Sequence, residues 1–324
     1  MQVGKYIIWC LIGVLSSACF KEDMPVTPIE PGDIETVQIE MGYPYKYQVY
    51  YDCGANRVVK TNSRYDWDLA FESSPEGFRV FLNTAKGEFL AQAGEVSFGT
   101  VNSTKNLTWL WDAPSGNLDS TSVGDWRGKR MVYVLDRQYD ANGNHLGYFK
   151  FQVLSVNENI YKIRFSDLQE EKGKEFTIRK NHNLSVIHFS MNNGGELLEL
   201  EPERNSWDLL FTNHYHKFSN LPMPFVLTQV LSNYQNRVVV AEDLKSNFEG
   251  IRLSDTTNYT FTAIRDEIGY DWKIRNSQDN SFIIDSKKSF IIKSTKGIYY
   301  KIQFTDFYND QGVKGYPKFK IQRL

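Results

Sequence analysis

The sequence predicts an all-β protein built from two units of curved antiparallel sheet, with very little helix. Short segments alternate apolar and polar residues with a period of two, which is typical of strands that cover a core with one face. Similar segments also recur at a near-constant spacing in the two halves of the chain. Hydrophobic residues make up 41% of the 324 residues and aromatic residues 15%, enough for a core that needs no disulfide framework.

The N-terminus is predicted to be a lipoprotein signal peptide over residues 1–18. Lys5 precedes an apolar run, Tyr6 to Leu15, that is much shorter than the roughly 20 residues of a membrane-spanning helix. Small residues lead directly to Cys19. We therefore expect Cys19 to be acylated and to anchor the protein to a membrane. The alternative is an ordinary cleaved signal in which Cys19 has no role.

Residues 19–35 are predicted to be the acylated cysteine and a proline-rich tether. Lys21 and the acidic pair that follows it resemble the surface-export signal of Bacteroidetes lipoproteins, so we expect a position on the outer membrane that faces the exterior. The alternative is a charged, solvated tether without an export role. Residues 20–35 reach at most about 50 Å when extended.

Two segments of the body are near copies of segments elsewhere in the chain. Trp67 to Phe71 reads W-D-L-A-F and recurs 140 residues later as W-D-L-L-F, from Trp207 to Phe211. Tyr161 to Asp167 recurs 139 residues later, from Tyr300 to Asp306. The repeat predicts a first unit over 36–180 and a second over 181–324. These are either separate domains or parts of one continuous core.

The order of elements follows from the same alternation. In each W-D-L-x-F strand the Trp, Leu and Phe share one face, which predicts that Asp68 and Asp208 point outward. The strands that precede the two motifs are aligned at the same offset of 140 residues, which matches Tyr51 with Met191. The only helix candidate is Ala241–Phe248, and residues 298–324 read as a closing β-hairpin. Further strands are expected at Arg79–Leu82, Met131–Leu135, Phe149–Leu154, Phe225–Val230, Arg237–Val240 and Ser289–Lys293.

The two repeated motifs, and above all the ending TDFYNDQGVKGYPKFKIQRL, resemble the HmuY family of Bacteroidetes haem-binding surface lipoproteins. The resemblance implies a β-rich grip that holds haem at one end. It also implies capture of haem from haemoproteins and delivery to a TonB-dependent outer-membrane receptor. The matched motifs contain no axial ligand, so candidate ligands are judged from their own chemistry.

Haem iron takes His or Met as axial ligands beside an apolar slot for the macrocycle. Of the five histidines, only His214 and His216 lie close in sequence to apolar and aromatic residues and to a methionine, Met223. Because residues i and i+2 of a strand share a face, His214 and His216 cannot both ligate one iron, so Met223 or a facing loop is expected to supply the other ligand. The alternative is a solvated loop with Met223 as packing. His188 is expected on a polar strand face.

Other function classes are disfavoured. A net charge of −2 argues against a nucleic-acid partner, and the pair of histidines lacks a nearby third ligand for zinc. No phosphate-binding loop, H-E-x-x-H or G-x-S-x-G is present, so we expect no catalysis. The sequence therefore predicts a non-catalytic haem or tetrapyrrole carrier. The alternative is an accessory surface lipoprotein that binds a protein or glycan partner without haem.

Overall fold

The computed structural model describes residues 30–324. The predicted signal peptide, Cys19 and most of the tether lie outside these residues. Residues 31–324 form one compact unit. Among the residues that the structure describes, no helix is long and apolar enough to cross a membrane.

The described chain is almost entirely β-structure, which confirms the predicted fold class. Its only helices are short 3₁₀ turns, at Phe98–Thr100, Leu118–Ser120, Asn192–Gly194, Tyr234–Asn236, Phe248–Gly250 and Leu253–Asn258. The strands in chain order are β1 Glu35–Gln38, β2 Tyr47–Asp52, β3 Arg57–Ser63, β4 Leu69–Glu72, β5 Val80–Leu82, β6 Phe89–Gly94, β7 Trp109–Leu110, β8 Val132–Asp136, β9 Tyr148–Val156, β10 Ile160–Asp167, β11 Lys174–Arg179, β12 Val186–Ser190, β13 Glu196–Leu198, β14 Leu209–His216, β15 Phe225–Ser232, β16 Val239–Asp243, β17 Lys273–Arg275, β18 Phe282–Ile284, β19 Ser289–Lys293, β20 Tyr299–Tyr308 and β21 Lys314–Arg323.

Two sheets enclose the larger hydrophobic core, and we call this part the outer body. One sheet has the order β1-β21-β20-β19-β16 and the other β15-β14-β2-β3. Their core is rich in aromatic rings: Trp272 stacks on Phe304 at 4.0 Å between ring centroids, and Phe211 on Phe319 at 5.8 Å. The outer body is therefore built from the two ends of the chain.

Two other sheets enclose the second core, and we call this part the inner body. One has the order β11-β10-β9-β8-β6-β7 and the other β13-β12-β4-β5. Phe71, Tyr161 and Phe189 lie at its centre, all fully buried. The inner body is one continuous stretch of chain inserted between β3 and β14.

Each half of the sequence supplies strands to the body built mainly from the other half: the first supplies β1, β2 and β3 to the outer body, and the second supplies β12 and β13 to the inner body. β12, from the second half, pairs with β4 of the first W-D-L-x-F motif. β2, from the first half, pairs with β14 of the second motif. The sequence left open whether the halves are separate or share a core. The structure shows two cores, and both halves contribute to each of them.

The two W-D-L-x-F strands have matching surroundings. The Asp68 amide donates to the Phe189 carbonyl at 2.9 Å, and the Asp208 amide donates to the Tyr51 carbonyl at 2.8 Å. These bonds equate Tyr51 with Phe189, which places the upstream strands two residues out of register with the predicted match to Met191. The sequence alignment was wrong there because alternation with a period of two fits equally well after a shift of two.

Asp68 and Asp208 do not point outward; both are buried, and that prediction is wrong. Asp68 Oδ2 accepts the Met191 amide at 2.6 Å, and Asp208 Oδ2 accepts the Cys53 amide at 3.0 Å. Each carboxylate therefore ties its strand to the end of the neighbouring strand. Hydrogen bonds from buried amides compensate for the burial of such a carboxylate. The alternation of apolar and polar residues does not show these bonds.

The face predicted to be shared by the Trp, Leu and Phe of the motif is wrong, because Trp207 packs with Tyr50 and Leu210 and not with Leu209 and Phe211. The remaining predicted elements agree with the structure, with one exception. The closing hairpin is present as β20 and β21, and Tyr300, Ile302 and Phe304 are buried as expected. All six further strands that the sequence predicts are also found. The predicted helix at Ala241–Phe248 is wrong. Its first residues belong to β16, because Ala241 and its neighbours are needed in the ladder with β19.

Candidate functional site

The β14–β15 hairpin carries the candidate ligands predicted from the sequence. Its ladder runs without a break from Leu209 opposite Ser232 to His216 opposite Phe225. Pro222 lies in the connecting loop, residues 217–224, where its missing amide hydrogen breaks no ladder bond. The structure therefore places His216 and Met223 at the end of the hairpin, and His214 one step inside it.

His214 is buried and faces a cavity of about 80 Å³ between the outer and inner bodies. Burial lowers the pKa of its imidazole to about 3, so the ring is neutral. Sites for ligands of drug or cofactor size measure about 300–1,000 Å³. The cavity is therefore too small for a macrocycle, and His214 is not placed to ligate haem in this conformation.

His216 lies at the end of β14 and is only partly buried. Its ring packs 4.3 Å from the ring of Tyr270 and 4.7 Å from that of Phe218, measured between centroids. Its Nε2 lies 3.1 Å from the Tyr270 hydroxyl. Burial lowers its pKa, which favours the neutral imidazole that a metal requires.

Met223 is exposed over 47% of its surface, and Phe225 is similarly exposed. Phe225 lies 6.1 Å from Phe218 between ring centroids, which connects it to the rings around His216. We call His216, Phe218, Met223, Phe225 and Tyr270 the hairpin tip. It combines an imidazole and a thioether with exposed aromatic surface, so its chemistry suits an iron-containing planar ligand.

A wider groove of about 610 Å³ lies in the inner body, lined by residues that include Arg137, Phe165 and Met191. It has room for a macrocycle, but Met191 is 2% exposed and belongs to the core. No histidine is among the described residues that line this groove. The groove therefore offers fewer axial ligands than the hairpin tip.

Sequence reasoning missed two features near the site. His188 is buried and packs edge-on against Trp67 at 4.6 Å, so its predicted place on a polar face is wrong. The unbroken sequence Val-Ile-His-Phe of β12 was the available signal, because strands covered on both faces lose alternation. Tyr270 was missed because nothing in its local pattern points to His216, 54 residues away.

A metal site built from side chains alone is not found. Within residues 30–324, no group of three or more His, Cys, Asp or Glu side chains is arranged to hold a metal ion. A haem iron differs because the porphyrin supplies four of its ligands, so one or two protein ligands are sufficient.

Comparison with known proteins identifies the family. The family model described as HmuY protein matches residues 44–321. The chain belongs to the HmuY family. No curated protein matches the chain.

Three solved structures are similar to this HmuY-family chain. Apo PinO from Porphyromonas gingivitis is 10% identical, with 90% of this chain and 97% of that chain covered and a TM-score of 0.31. The apo HmuY analogue TFO of Tannerella forsythia is 23% identical over 47% of this chain and 85% of its own, with a TM-score of 0.19. An HmuY-like protein of Bacteroides vulgatus, to which haem binding is ascribed, is 10% identical over 89% and 90%, with a TM-score of 0.25. The family assignment rests on the family match.

Proposed function

We propose that this HmuY-family protein is a lipid-anchored surface protein that binds haem or a related tetrapyrrole at the hairpin tip, without catalysis. The observation that carries the proposal is the position of His216 at the end of one hairpin beside Phe218 and Tyr270, with the exposed Met223 in the loop of the same hairpin. His216 Nε2 and Met223 Sδ are the atoms that would hold the iron. The haem itself would supply the iron and a planar apolar surface.

The hairpin tip serves two further needs of a haem carrier. Phe218, Phe225 and Tyr270 provide apolar surface for the macrocycle, which would otherwise contact water. The Tyr270 hydroxyl hydrogen-bonds His216 at 3.1 Å and thereby fixes the direction of the ring until a ligand takes its place. An exposed tip also suits a protein that takes its ligand from one protein and passes it to another.

The proposal extends to the rest of the chain. Cys19 would carry the lipid, and residues 20–35 would hold the β-structure away from an outer membrane on its exterior side. A TonB-dependent receptor and haemoproteins would be the partners. We also propose that the two halves descend from one duplicated HmuY-like unit, since Asn83 and Asn233 make equivalent bonds beside the two motifs.

A haem titration followed by absorbance tests the binding function. The chain from residue 20 onward retains the whole compact unit, 31–324, and is suitable for it. We expect a saturable Soret shift with ferric or ferrous haem. Absence of a shift in both oxidation states would contradict haem binding. It would favour the accessory lipoprotein, which could use the exposed side chains of Met223, Phe225 and Val226 to contact a protein or glycan.

The anchor is tested separately. In cells, Cys19→Ala is expected to release the protein from membranes, and protease added to intact cells is expected to remove the wild-type protein. A Ser17→Ala variant is the matched control, because it changes a small residue near the same site without removing the sulfur. Membrane retention of the Cys19 variant would refute the lipid anchor, and protection from protease would refute exposure on the exterior.

A further inference from the structure

The 80 Å³ cavity between the bodies has a lining that the proposed haem function does not use. It lies between β2 and β14 on one side and β4 and β12 on the other. We call it the junction cavity. Its side chains include Glu201, Trp207 and Arg265 as well as His188 and His214. This mixture of charged and polar groups is unusual for the interior of a β-protein.

Four buried polar atoms of the lining have no hydrogen-bond partner among residues 30–324. They are His188 Nδ1, Glu201 Oε1, Trp207 Nε1 and Asn213 Oδ1. Trp207 lies close enough to the Glu201 carboxyl to lower its pKa, although the two side chains form no hydrogen bond of normal geometry. Each of these residues is more than nine-tenths buried. Buried polar groups in native proteins almost always have a partner, so four of them around one small cavity indicate a polar occupant.

Arg265 supplies the positive charge at the cavity. Its carbonyl accepts a hydrogen bond from the Ser232 amide at 2.8 Å, and its partly buried side chain belongs to the lining. Asp112 is nearby, but its two oxygens already accept bonds from Ser122 and Leu82. The guanidinium therefore has donors available for another acceptor.

The size of the cavity limits the ligand. A buried water needs about 10–15 Å³ of such volume, so 80 Å³ accommodates roughly five to eight water positions, or a molecule with a few heavy atoms. A guanidinium binds a planar carboxylate through two parallel N–H donors. Trp207 Nε1 adds a donor, and Asn213 Oδ1 and His188 Nδ1 add positions for a hydroxyl or a water.

We propose that the junction cavity binds a small monocarboxylate of about acetate size, with Arg265 as its counter-charge and Trp207 Nε1 as an additional donor. The site is separate from the hairpin tip and does not depend on haem binding. Because its walls come from both bodies, the ligand would bridge them. A molecule that bridges them adds contacts in the folded state only and so raises the stability of the whole unit.

Glu201 decides how this binding depends on pH. Burial raises the pKa of its carboxyl to about 7. The protonated acid can donate its hydrogen to a carboxylate ligand, whereas the ionised form repels it. Burial keeps the pKa of both cavity histidines near 3, so they stay neutral in this range. The titratable and charged groups around Glu201 in the cavity are Tyr50, Asp112, His188, His214, Tyr234 and Arg265.

The test is thermal unfolding of the chain from residue 20 onward with increasing sodium acetate, at constant ionic strength adjusted with sodium chloride. At about pH 6, one unit below the Glu201 pKa of about 7, we expect Tm to rise with acetate and to saturate. Benzoate, whose ring exceeds the cavity, is expected to give no rise. An absent acetate effect, or an equal effect of benzoate, would overturn the proposal.

Variants assign the effect to the cavity. Arg265→Gln is expected to weaken acetate binding by at least about tenfold, as is typical of losing a charge-assisted pair. Trp207→Phe keeps an aromatic ring beside Tyr50 and is expected to weaken it less. Arg127→Gln is the matched control, since Arg127 is an exposed arginine paired with Asp125. An unchanged acetate response in both cavity variants would place acetate elsewhere and refute the site.

The role of Glu201 has its own outcome. The wild-type response to acetate is expected to weaken between about pH 6 and about pH 8, on either side of the Glu201 pKa of about 7. Glu201→Gln keeps a donor without a titrating proton, so its response should be the same at both values. A pH dependence that persists in Glu201→Gln would contradict the assignment of the proton to Glu201.

Discussion

The two W-D-L-x-F strands place an aspartate at the same point of two bodies and surround it differently. In the inner body, Asp68 is paired with Lys86 Nζ at 2.5 Å and with Arg137 Nε at 3.0 Å. In the outer body, Asp208 accepts only neutral donors, from Cys53 and Thr295. Backbone bonds to the neighbouring strand are equivalent in both. The motif thus determines the strand connection, and the surrounding sequence determines the charge.

The pKa values of the two carboxyls move in opposite directions as a result. Burial alone would raise the pKa of Asp68, but Lys86 and Arg137 outweigh it and lower the pKa to about 2. Burial raises the pKa of Asp208, which its neutral donors offset only in part. The charge of Asp68 is therefore stabilised in the folded protein, whereas the charge of Asp208 is tolerated.

The largest expected effect is that of Asp68→Asn. It leaves Arg137 without its buried carboxylate partner and Lys86 with Glu88 alone, at 2.9 Å. Removing one partner of a buried ion pair costs about 3–5 kcal/mol. Asp208→Asn removes no ion-pair partner and is expected to cost about 1–2 kcal/mol. Urea unfolding of both variants measures the difference. Equal losses would show that the two sites are energetically alike.

Acid unfolding should separate the same two sites. The folded pKa of Asp68 is below the ordinary value of 3.8, so its stabilising contribution is present above about pH 4 and is lost as pH falls towards 2. It amounts to about 2 kcal/mol in the wild type. The folded pKa of Asp208 is raised, so its contribution favours the folded protein at low pH and is lost as pH rises. Below about pH 4, the free energy of unfolding should therefore fall less steeply with decreasing pH in the Asp68 variant than in the Asp208 variant.

The cavity histidines sharpen the comparison because they are predicted to behave alike. His188 in the inner body and His214 in the outer body both have pKa values lowered by burial from 6.5 to about 3. Below about pH 6.5 the unfolded chain then binds more protons than the folded protein. Each histidine therefore lowers the free energy of unfolding by about 1.4 kcal/mol per pH unit as pH falls towards 4.5. Replacing either with Gln should reduce that slope equally. The exposed His182→Gln is the control, and unequal slopes would contradict the symmetry.

The smallest expected effects come from Asn83 and Asn233. The Asn83 side-chain amide donates to the carbonyls of Arg64 and Trp67, and Asn233 donates in the same way to Arg204 and Trp207. Replacing Asn233 with Ala leaves two buried carbonyls short of a donor, at about 1–2 kcal/mol. Asn83→Ala leaves only the Arg64 carbonyl without a donor, because Lys86 Nζ still donates to the Trp67 carbonyl at 3.0 Å. We therefore expect a somewhat smaller loss for Asn83→Ala in urea unfolding. A difference above about 1 kcal/mol would show that the bodies use these residues differently.

Strand positions could be predicted from the sequence because alternation reports directly on which residues face a core. The W-D-L-x-F strands and the closing hairpin are examples. Residues whose partners are distant in sequence could not be placed in this way. Asp68 is buried because Lys86, Arg137 and Met191 receive it there, and none of them is part of its strand. The pairing of β2 with β14 likewise depends on contacts between the two halves of the chain.

The sequence located the candidate iron ligands by their residue types, and the structure was needed to choose between His214 and His216. Sequence spacing excluded the use of both His214 and His216 on one iron but could not choose between them. The structure distinguishes them, because His214 faces an 80 Å³ cavity and His216 lies at the hairpin tip beside Tyr270. His214 is enclosed by residues of the inner body that line the same cavity, such as Leu82 and His188, and no local sequence pattern reports these contacts.

The central claim is that haem binds through His216 at the hairpin tip, and a titration of two matched variants tests it most directly. His216→Ala and His214→Gln are each titrated with ferric haem, and the Soret band is followed against wild type. We predict that His216→Ala loses most of the shift and that His214→Gln retains it. The proposed site would be contradicted if His216→Ala showed the same Soret shift as the wild type. It would also be contradicted if a folded His214→Gln lost the shift.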